Sequence, residues 1–180
     1  WYNQIFNEKN KPDKDIERVF RSIVADLPDH GDLSLLHGDY KLDNVVIDNN
    51  NNCLAILDWE LSSFGEPLAD ISFQMINWLI PSGVLYGIGE DWEKQGIPSA
   101  SKFLSWYEGS YGKNIDITSL RNACIFSLIK LFCILKGIEN RINQGNAFSD
   151  DAELKAKAAP AIKDVLMNAF ELNPRDIIIT

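Results

Sequence analysis

Residues 36–70 read LHGDYKLDNVVIDNNNNCLAILDWELSSFGEPLAD, and the order of polar and apolar residues in this stretch decides the architecture. Two short apolar runs, VVI at 45–47 and CLAIL at 53–57, flank Asp48 and four consecutive asparagines. Asn and Asp tolerate left-handed backbone and bond to nearby amides, so they form turns between strands. The pattern predicts a β-hairpin. The loop before it carries His37, Asp39, Lys41 and Asn44. Asp58 ends its second strand. Asp70 falls near the start of a following helix that Pro67 opens.

Outward from the hairpin the sequence turns helical. Ile16, Val19, Phe20, Ile23, Val24 and Leu27 recur at helical spacing, which predicts an amphipathic helix over 13–27. Pro28, Asp29, His30 and Gly31 end it, with His30 read as a solvated loop residue. Residues 33–36 form a short apolar run, a strand or an extended lead into the loop. Further helices are expected over 67–80, 98–111 and 118–143. The last is apolar nearly all round between 123 and 135, the mark of a central, buried helix. Gly145 is well placed as its C-terminal cap. A final helix over 150–172 is expected to break or restart at Pro160. The expected fold class is α+β, mainly α, with one small hairpin in a single helical domain spanning 1–180.

The chain has 180 residues, 46% of them apolar, enough for one domain with a hydrophobic core. Lys and Arg total 17 against 26 Asp and Glu, a net charge of −9. Such a chain is a poor candidate for coating nucleic acid or an anionic membrane. No run of residues reads as a signal peptide or membrane span. Cys53, Cys124 and Cys133 lack metal-type spacing and are expected to be buried free thiols in a reducing compartment, which points to the cytoplasm. Cys124 and Cys133, nine residues apart, fall on opposite faces of one helix. Lys130, inside the apolar helix, must snorkel or find a partner. Trp59, Trp78, Trp92 and Trp106 are candidates for lining a substrate pocket, against the default expectation that aromatics are core residues.

The polar residues around the hairpin suit phosphoryl transfer. That reaction needs a carboxylate to orient a hydroxyl and take its proton, and hard oxygen ligands to hold magnesium on phosphates. Asp39 on the loop can meet a hydroxyl. Asn44 offers an amide oxygen, and the hairpin turn can bring Asp58 beside it. Against this stands the plain reading of a hairpin with polar turn residues.

The pattern His-x-Asp-x-x-x-x-Asn, followed by an apolar strand ending in Asp, resembles the catalytic loop and metal-binding Asp of the protein-kinase-like superfamily. HGD at 37–39, LDWE at 57–60 and GEPLAD at 65–70 are similar to the aminoglycoside phosphotransferase family. Within that family the chain most resembles the phosphotransferase-like domains found alone or fused to acyl-CoA dehydrogenases. NWLIP at 77–81, GIG at 87–89 and the run ILKGIENRINQGNA at 134–147 extend the resemblance over most of the chain. It implies Asp39 as catalytic base, Asn44 and Asp58 as Mg2+ ligands, and Lys41 near the transferred phosphate of ATP. His37 would buttress the loop, Asp70 would bond to loop amides, and Glu60 would lie near the metal. No Gly-rich loop and no strand lysine with a helix glutamate is present, and the family places those in an N-terminal β-lobe. The chain is therefore expected to be the C-terminal, catalytic-loop lobe, with the N-terminal β-lobe and its nucleotide clamp absent. Beginning at Trp1, it reads as a processed product or a piece of something longer. The face toward the missing lobe is expected to be apolar and open to association.

Two readings of different class follow. One is an ATP-dependent phosphotransferase acting on a small-molecule hydroxyl, such as a hydroxyacyl-CoA or an amino alcohol. The other is a non-catalytic kinase-like binding or regulatory module. A protein kinase fits less well, since eleven residues between Asp58 and Asp70 leave no room for a peptide-docking activation segment.

Overall fold

The computed structural model describes residues 13–26, 33–89, 92–146 and 151–178. The helices are α1 (Lys14–Ala25), α2 (Leu68–Leu79), α3 (Ala100–Tyr111), α4 (Ile117–Asn143), α5 (Ala152–Lys157) and α6 (Ala159–Glu171). The strands are β1 (Ser34–Leu36), β2 (Val45–Ile47), β3 (Cys53–Ile56) and β4 (Ser63–Gly65). The architecture is α+β and mainly helical, as the sequence predicts.

Local chemistry sets the helix ends. Asp13 caps α1 by accepting from the Asp15 and Ile16 amides. Ser99 and Asp116 cap α3 and α4 in the same way. Past the end of α4, Gly145 adopts φ +72 and donates to the Ile142 carbonyl, while Asn146 donates to Arg141. This pair of bonds is the Schellman closure that a left-handed glycine permits. Pro160 lies in the first turn of α6, where its missing N–H costs nothing, and the break from α5 falls at Ala158. The predicted end of α1 at Leu27 and the loop around His30 lie outside the described residues.

Helix α4 is the axis of the core. Leu120, Cys124, Leu128 and Leu135 form one buried stripe and Ile125, Ile129 and Cys133 another, so it is enclosed from several sides by α1, α2, α5 and α6. That enclosure explains how both Cys124 and Cys133 are buried although they face opposite ways. Burial pushes their thiols up to about 12 and about 11, respectively. Among the described helices, α4 is the one long and apolar enough to cross a bilayer, and half of its most apolar window is buried against its neighbours. Fully burying a side chain such as Leu128 stabilises the fold by about 1.5–3 kcal/mol. One polar contact crosses the core, between the hydroxyls of Ser72 on α2 and Ser127 on α4, at 2.8 Å.

Two antiparallel ladders occur instead of the single hairpin expected. β2 pairs with β3, with a register irregularity between Val46 and Ile47, and β1 pairs with β4. In the turn, Asp48 accepts from the Asn50 and Asn52 amides and Asn51 takes φ +63. Neither ladder is covered on its outer side by a described element. Leu42 is 85% exposed and Phe64 73%, and most of the exposed large apolar side chains lie between 33 and 64. Cys53 on this face is exposed, which corrects the expectation of three buried thiols. A two-stranded ladder has no second layer of its own to bury it.

Candidate active site

In the loop 37–40 between β1 and the hairpin, three amides and three carbonyls are each held by a side chain. The amides of His37 and Gly38 donate to the two oxygens of Asp70, at 2.6 and 3.0 Å. The Asp39 amide donates to Nδ1 of His37 at 3.2 Å. The Gly38 carbonyl accepts from Nζ of Lys130 at 2.9 Å, the Asp39 carbonyl from Nδ2 of Asn44 at 2.9 Å, and the Tyr40 carbonyl from Nε2 of Gln74. Asp70, Phe73 and Gln74 stand at i, i+3 and i+4 on α2, so one helix face serves the loop. Lys130 reaches in from α4 with its ammonium 4.9 Å from the centre of the Phe73 ring.

His37 is buried. Because Nδ1 accepts from the Asp39 amide, the ring's proton belongs on Nε2, which donates to the Leu57 carbonyl at 2.8 Å. The imidazole is thus a neutral brace between the loop and the end of β3, with Trp59 against it at 4.7 Å between ring centroids. Gly38 has φ +83, and a Cβ there would stand 2.4 Å from the Leu61 carbonyl oxygen, so only glycine fits.

The Asp39 carboxylate lies above this base. Its Oδ2 accepts from Nζ of Lys41 at 2.8 Å, with Nδ2 of Asn44 at 3.5 Å. The bond to Asp39 holds the Lys41 ammonium above its ordinary pKa. Asn44 is buried in a 3-10 turn (Leu42–Asn44), and its NH2 group is committed to Asp39. Its Oδ1 is the atom left to ligate. The Leu57 amide donates to the Asn44 carbonyl at 2.8 Å, so the ladder places Asp58 one residue beyond Asn44's partner. Asp58 sits in the left-handed region at φ 66, ψ 55, and starts the 3-10 turn Trp59–Leu61 that carries Glu60. For a residue other than glycine this conformation costs about 1–2 kcal/mol, least for Asn and Asp. Among the described residues no hydrogen bond or ion pair ties up the Asp58 or Glu60 carboxylate.

Asp39, Lys41, Asn44, His37 and Asp70 therefore form one bonded network, with Asp58 beside it through the ladder and Glu60 exposed on the turn beyond. No three His, Cys, Asp or Glu side chains converge among the described residues. An amide oxygen and one carboxylate suit a magnesium ion that keeps phosphate oxygens and water as its other ligands. Lys130 and Gln74 complete the network. Sequence reasoning raised Lys130 as a cation needing a partner but could not name one. Burial pushes its ammonium below the ordinary lysine value, while Asp39 and Asp70 act in the opposite direction.

A loop carboxylate braced by a buried histidine and by a helix carboxylate, ahead of a hairpin that delivers Asn and Asp, defines a phosphotransferase of the kinase-like class. The chain belongs to the phosphotransferase enzyme family known as APH, whose model matches residues 1–101. It is similar to mouse acyl-CoA dehydrogenase family member 10, with 31% identity over 83% of this chain and 14% of that one. Human acyl-CoA dehydrogenase family member 11 is 32% identical over 78% of this chain and 18% of its own length. The chain thus spans less than a fifth of these two relatives. Its fold matches the crystal structure of a Ralstonia eutropha protein provisionally assigned as an aminoglycoside phosphotransferase. That match has a TM-score of 0.76 and 29% identity, and covers 88% of this chain and 50% of the other.

Proposed function

We propose that these residues form the helical, loop-bearing lobe of an ATP- and magnesium-dependent phosphotransferase whose acceptor is a hydroxyl of a small molecule. The observation that carries this reading is Asp39, a half-buried carboxylate on a loop held by side-chain bonds to three of its amides and three of its carbonyls, within reach of both Lys41 and Asn44. Positioning of this kind is most of what phosphoryl transfer asks of a protein.

In this scheme the acceptor hydroxyl donates its proton to Asp39 as its oxygen attacks the γ-phosphorus. The bond from that phosphorus to the β,γ-bridging oxygen breaks, and ADP leaves. Lys41, already beside Asp39, faces the charge on the transferred group. Asn44 through Oδ1 and Asp58 through its carboxylate would hold magnesium, which supplies charge neutralisation on the phosphates when bound. The apolar face at 33–64 would pack against an N-terminal β-lobe that clamps the nucleotide. Left uncovered, the same face would favour association of copies. Two acceptor classes fit this reading: a hydroxyacyl-CoA, since the curated relatives are named for acyl-CoA chemistry, and an amino alcohol, since the structural neighbour is named for aminoglycosides.

The test uses the full-length protein with Mg-ATP and a panel of hydroxylated acyl-CoAs and aminoglycosides, reading out ADP. Release above the water background with one chemical class supports the proposal and chooses the acceptor. No binding of Mg-ATP by calorimetry, together with no ADP from any acceptor, refutes it.

A further inference from the structure

We propose that Lys130 is a positioning residue for the transfer reaction, holding the Gly38–Asp39 peptide so that the Asp39 carboxylate keeps its direction. The inference rests on the phosphotransferase reading above. It starts from one peptide plane. The carbonyl of that plane, on Gly38, bonds to Lys130 Nζ at 2.9 Å, and its N–H, on Asp39, bonds to His37 Nδ1 at 3.2 Å. A flip of the plane breaks both bonds together.

Gly38 is where such a flip would be easiest. It is the one residue of the 37–44 segment with positive φ, and glycine crosses between backbone regions at low cost. The two peptides before it are each held by Asp70 from α2 through one charge-assisted bond. Among the described residues, Asp70 makes no hydrogen bond on the far side of Gly38. There, His37 holds the N–H of the plane and is itself fastened through Nε2 to the Leu57 carbonyl at the end of β3. Among the described residues, Lys130 is the helix side chain bonded directly to this plane, reaching across 92 residues of sequence from the middle of α4.

The placement of the cation argues for this role over simple packing. Lys130 is flanked on α4 by Ile129, Leu128 and Phe132, all buried, and its ammonium is stacked on Phe73. Burial makes the charge costly there and pushes its pKa down. An apolar side chain could fill the same space without that cost. What it could not supply is a donor to the Gly38 carbonyl and a positive charge beneath the Asp39 carboxylate. Phe73, one turn from Asp70 on α2, aims the ammonium, so both helices that carry the loop contribute.

The test compares wild-type full-length protein with K130M and K130R. Three quantities are read: Mg-ATP affinity by calorimetry, ADP release with water as acceptor, and hydrogen exchange of the loop amides. K130M is expected to keep Mg-ATP affinity within threefold and to lose turnover by about 10²-fold, the scale of an ångström-level misplacement of a reacting group. The Asp39 amide should exchange faster in K130M, while the His37 and Gly38 amides, bonded to Asp70, keep their rates. A general loosening would speed all three and would overturn the proposal. K130R, which retains charge and donors, is expected to recover at least tenfold of the lost turnover. Equal loss in both variants at unchanged Mg-ATP affinity overturns it too, as does K130M turnover within threefold of wild type. Should K130M not fold, the same exchange and turnover readings on K130Q decide, with the same expected outcomes. If wild type neither binds nor hydrolyses Mg-ATP, the phosphotransferase reading fails on its own. The pinning of the loop then stands on selective exchange at Asp39 and falls on unchanged exchange.

Discussion

Replacing Asp70 by alanine removes the acceptor of two loop amides at once. The His37 amide belongs to a buried residue and the Gly38 amide to a half-buried one, at 2.6 and 3.0 Å from the carboxylate. A donor stripped of its partner where water cannot reach costs about 1–3 kcal/mol. Water can partly replace the lost acceptor at Gly38, so the sum is taken as about 3 kcal/mol, not the upper limit of two full penalties. Domains of 150–250 residues shift by roughly 2–4 °C per kcal/mol, so Tm should fall by about 6–12 °C. A typical total stability of about 5–15 kcal/mol leaves the variant folded. Asp70→Asn retains one carbonyl oxygen but turns an NH2 toward the other amide, so it should fall between wild type and alanine. The assay is thermal unfolding followed by circular dichroism, with urea titration to check that the m-value is unchanged. A Tm within 2 °C of wild type for Asp70→Ala, at equal m, would refute the claim that this carboxylate carries the loop.

Three further outcomes are expected. Asp39→Asn should leave Tm nearly unchanged, since its bond to the partly exposed Lys41 is worth little, yet lower turnover by ~10²–10⁴-fold in the full-length protein; near-normal turnover would remove Asp39 as the base. Asp58→Ala should weaken binding of magnesium-nucleotide more than of metal-free nucleotide in calorimetry, and equal losses would point to misfolding instead. Asp13 gives a pH dependence: burial raises its carboxyl, but bonds to Lys163 and to the Ile16 and Asp15 amides outweigh that and leave it below the ordinary value. Its contribution is therefore present above pH ~4 and lost as pH falls through the folded value. Asp13→Asn, which keeps a capping oxygen, should be less stable than wild type by about 0.5–1 kcal/mol at pH 7, and the gap should close as pH falls through the folded value; a gap that persists in acid would contradict the linkage.

Elements written in neighbouring residues were legible in the sequence. The Asp48–Asn52 turn, the helix that starts at Asp13, the left-handed closure at Gly145 and the restart at Pro160 are each decided within a few positions. Strand β4 was not legible. Three residues, Ser63, Phe64 and Gly65, have no periodicity of their own and become a strand only by pairing with β1, nearly thirty residues earlier. The exposure of Cys53 and Leu54 was hidden for a related reason. An apolar run announces a strand but not whether a second layer covers it. Within the site, the grouping of Asp39, Asn44 and Asp58 followed from local spacing. The bond from Lys130 to Gly38 spans too much chain for any pattern to show, and only the demand that a cation in an apolar helix find a partner pointed toward it.

The uncovered ladders also bear on how the isolated residues would behave as a colloid. At neutral pH a net charge of −9 opposes the association that Leu42, Phe64 and their neighbours favour. Near the isoelectric point of about 4.7 that repulsion vanishes, while the apolar face remains. Turbidity should therefore appear on acidification before the Asp13 contribution is lost, and it should depend on protein concentration where unfolding does not. Acid titrations of the Asp13 linkage belong at low concentration, so that precipitation of folded molecules is not mistaken for the loss of the fold.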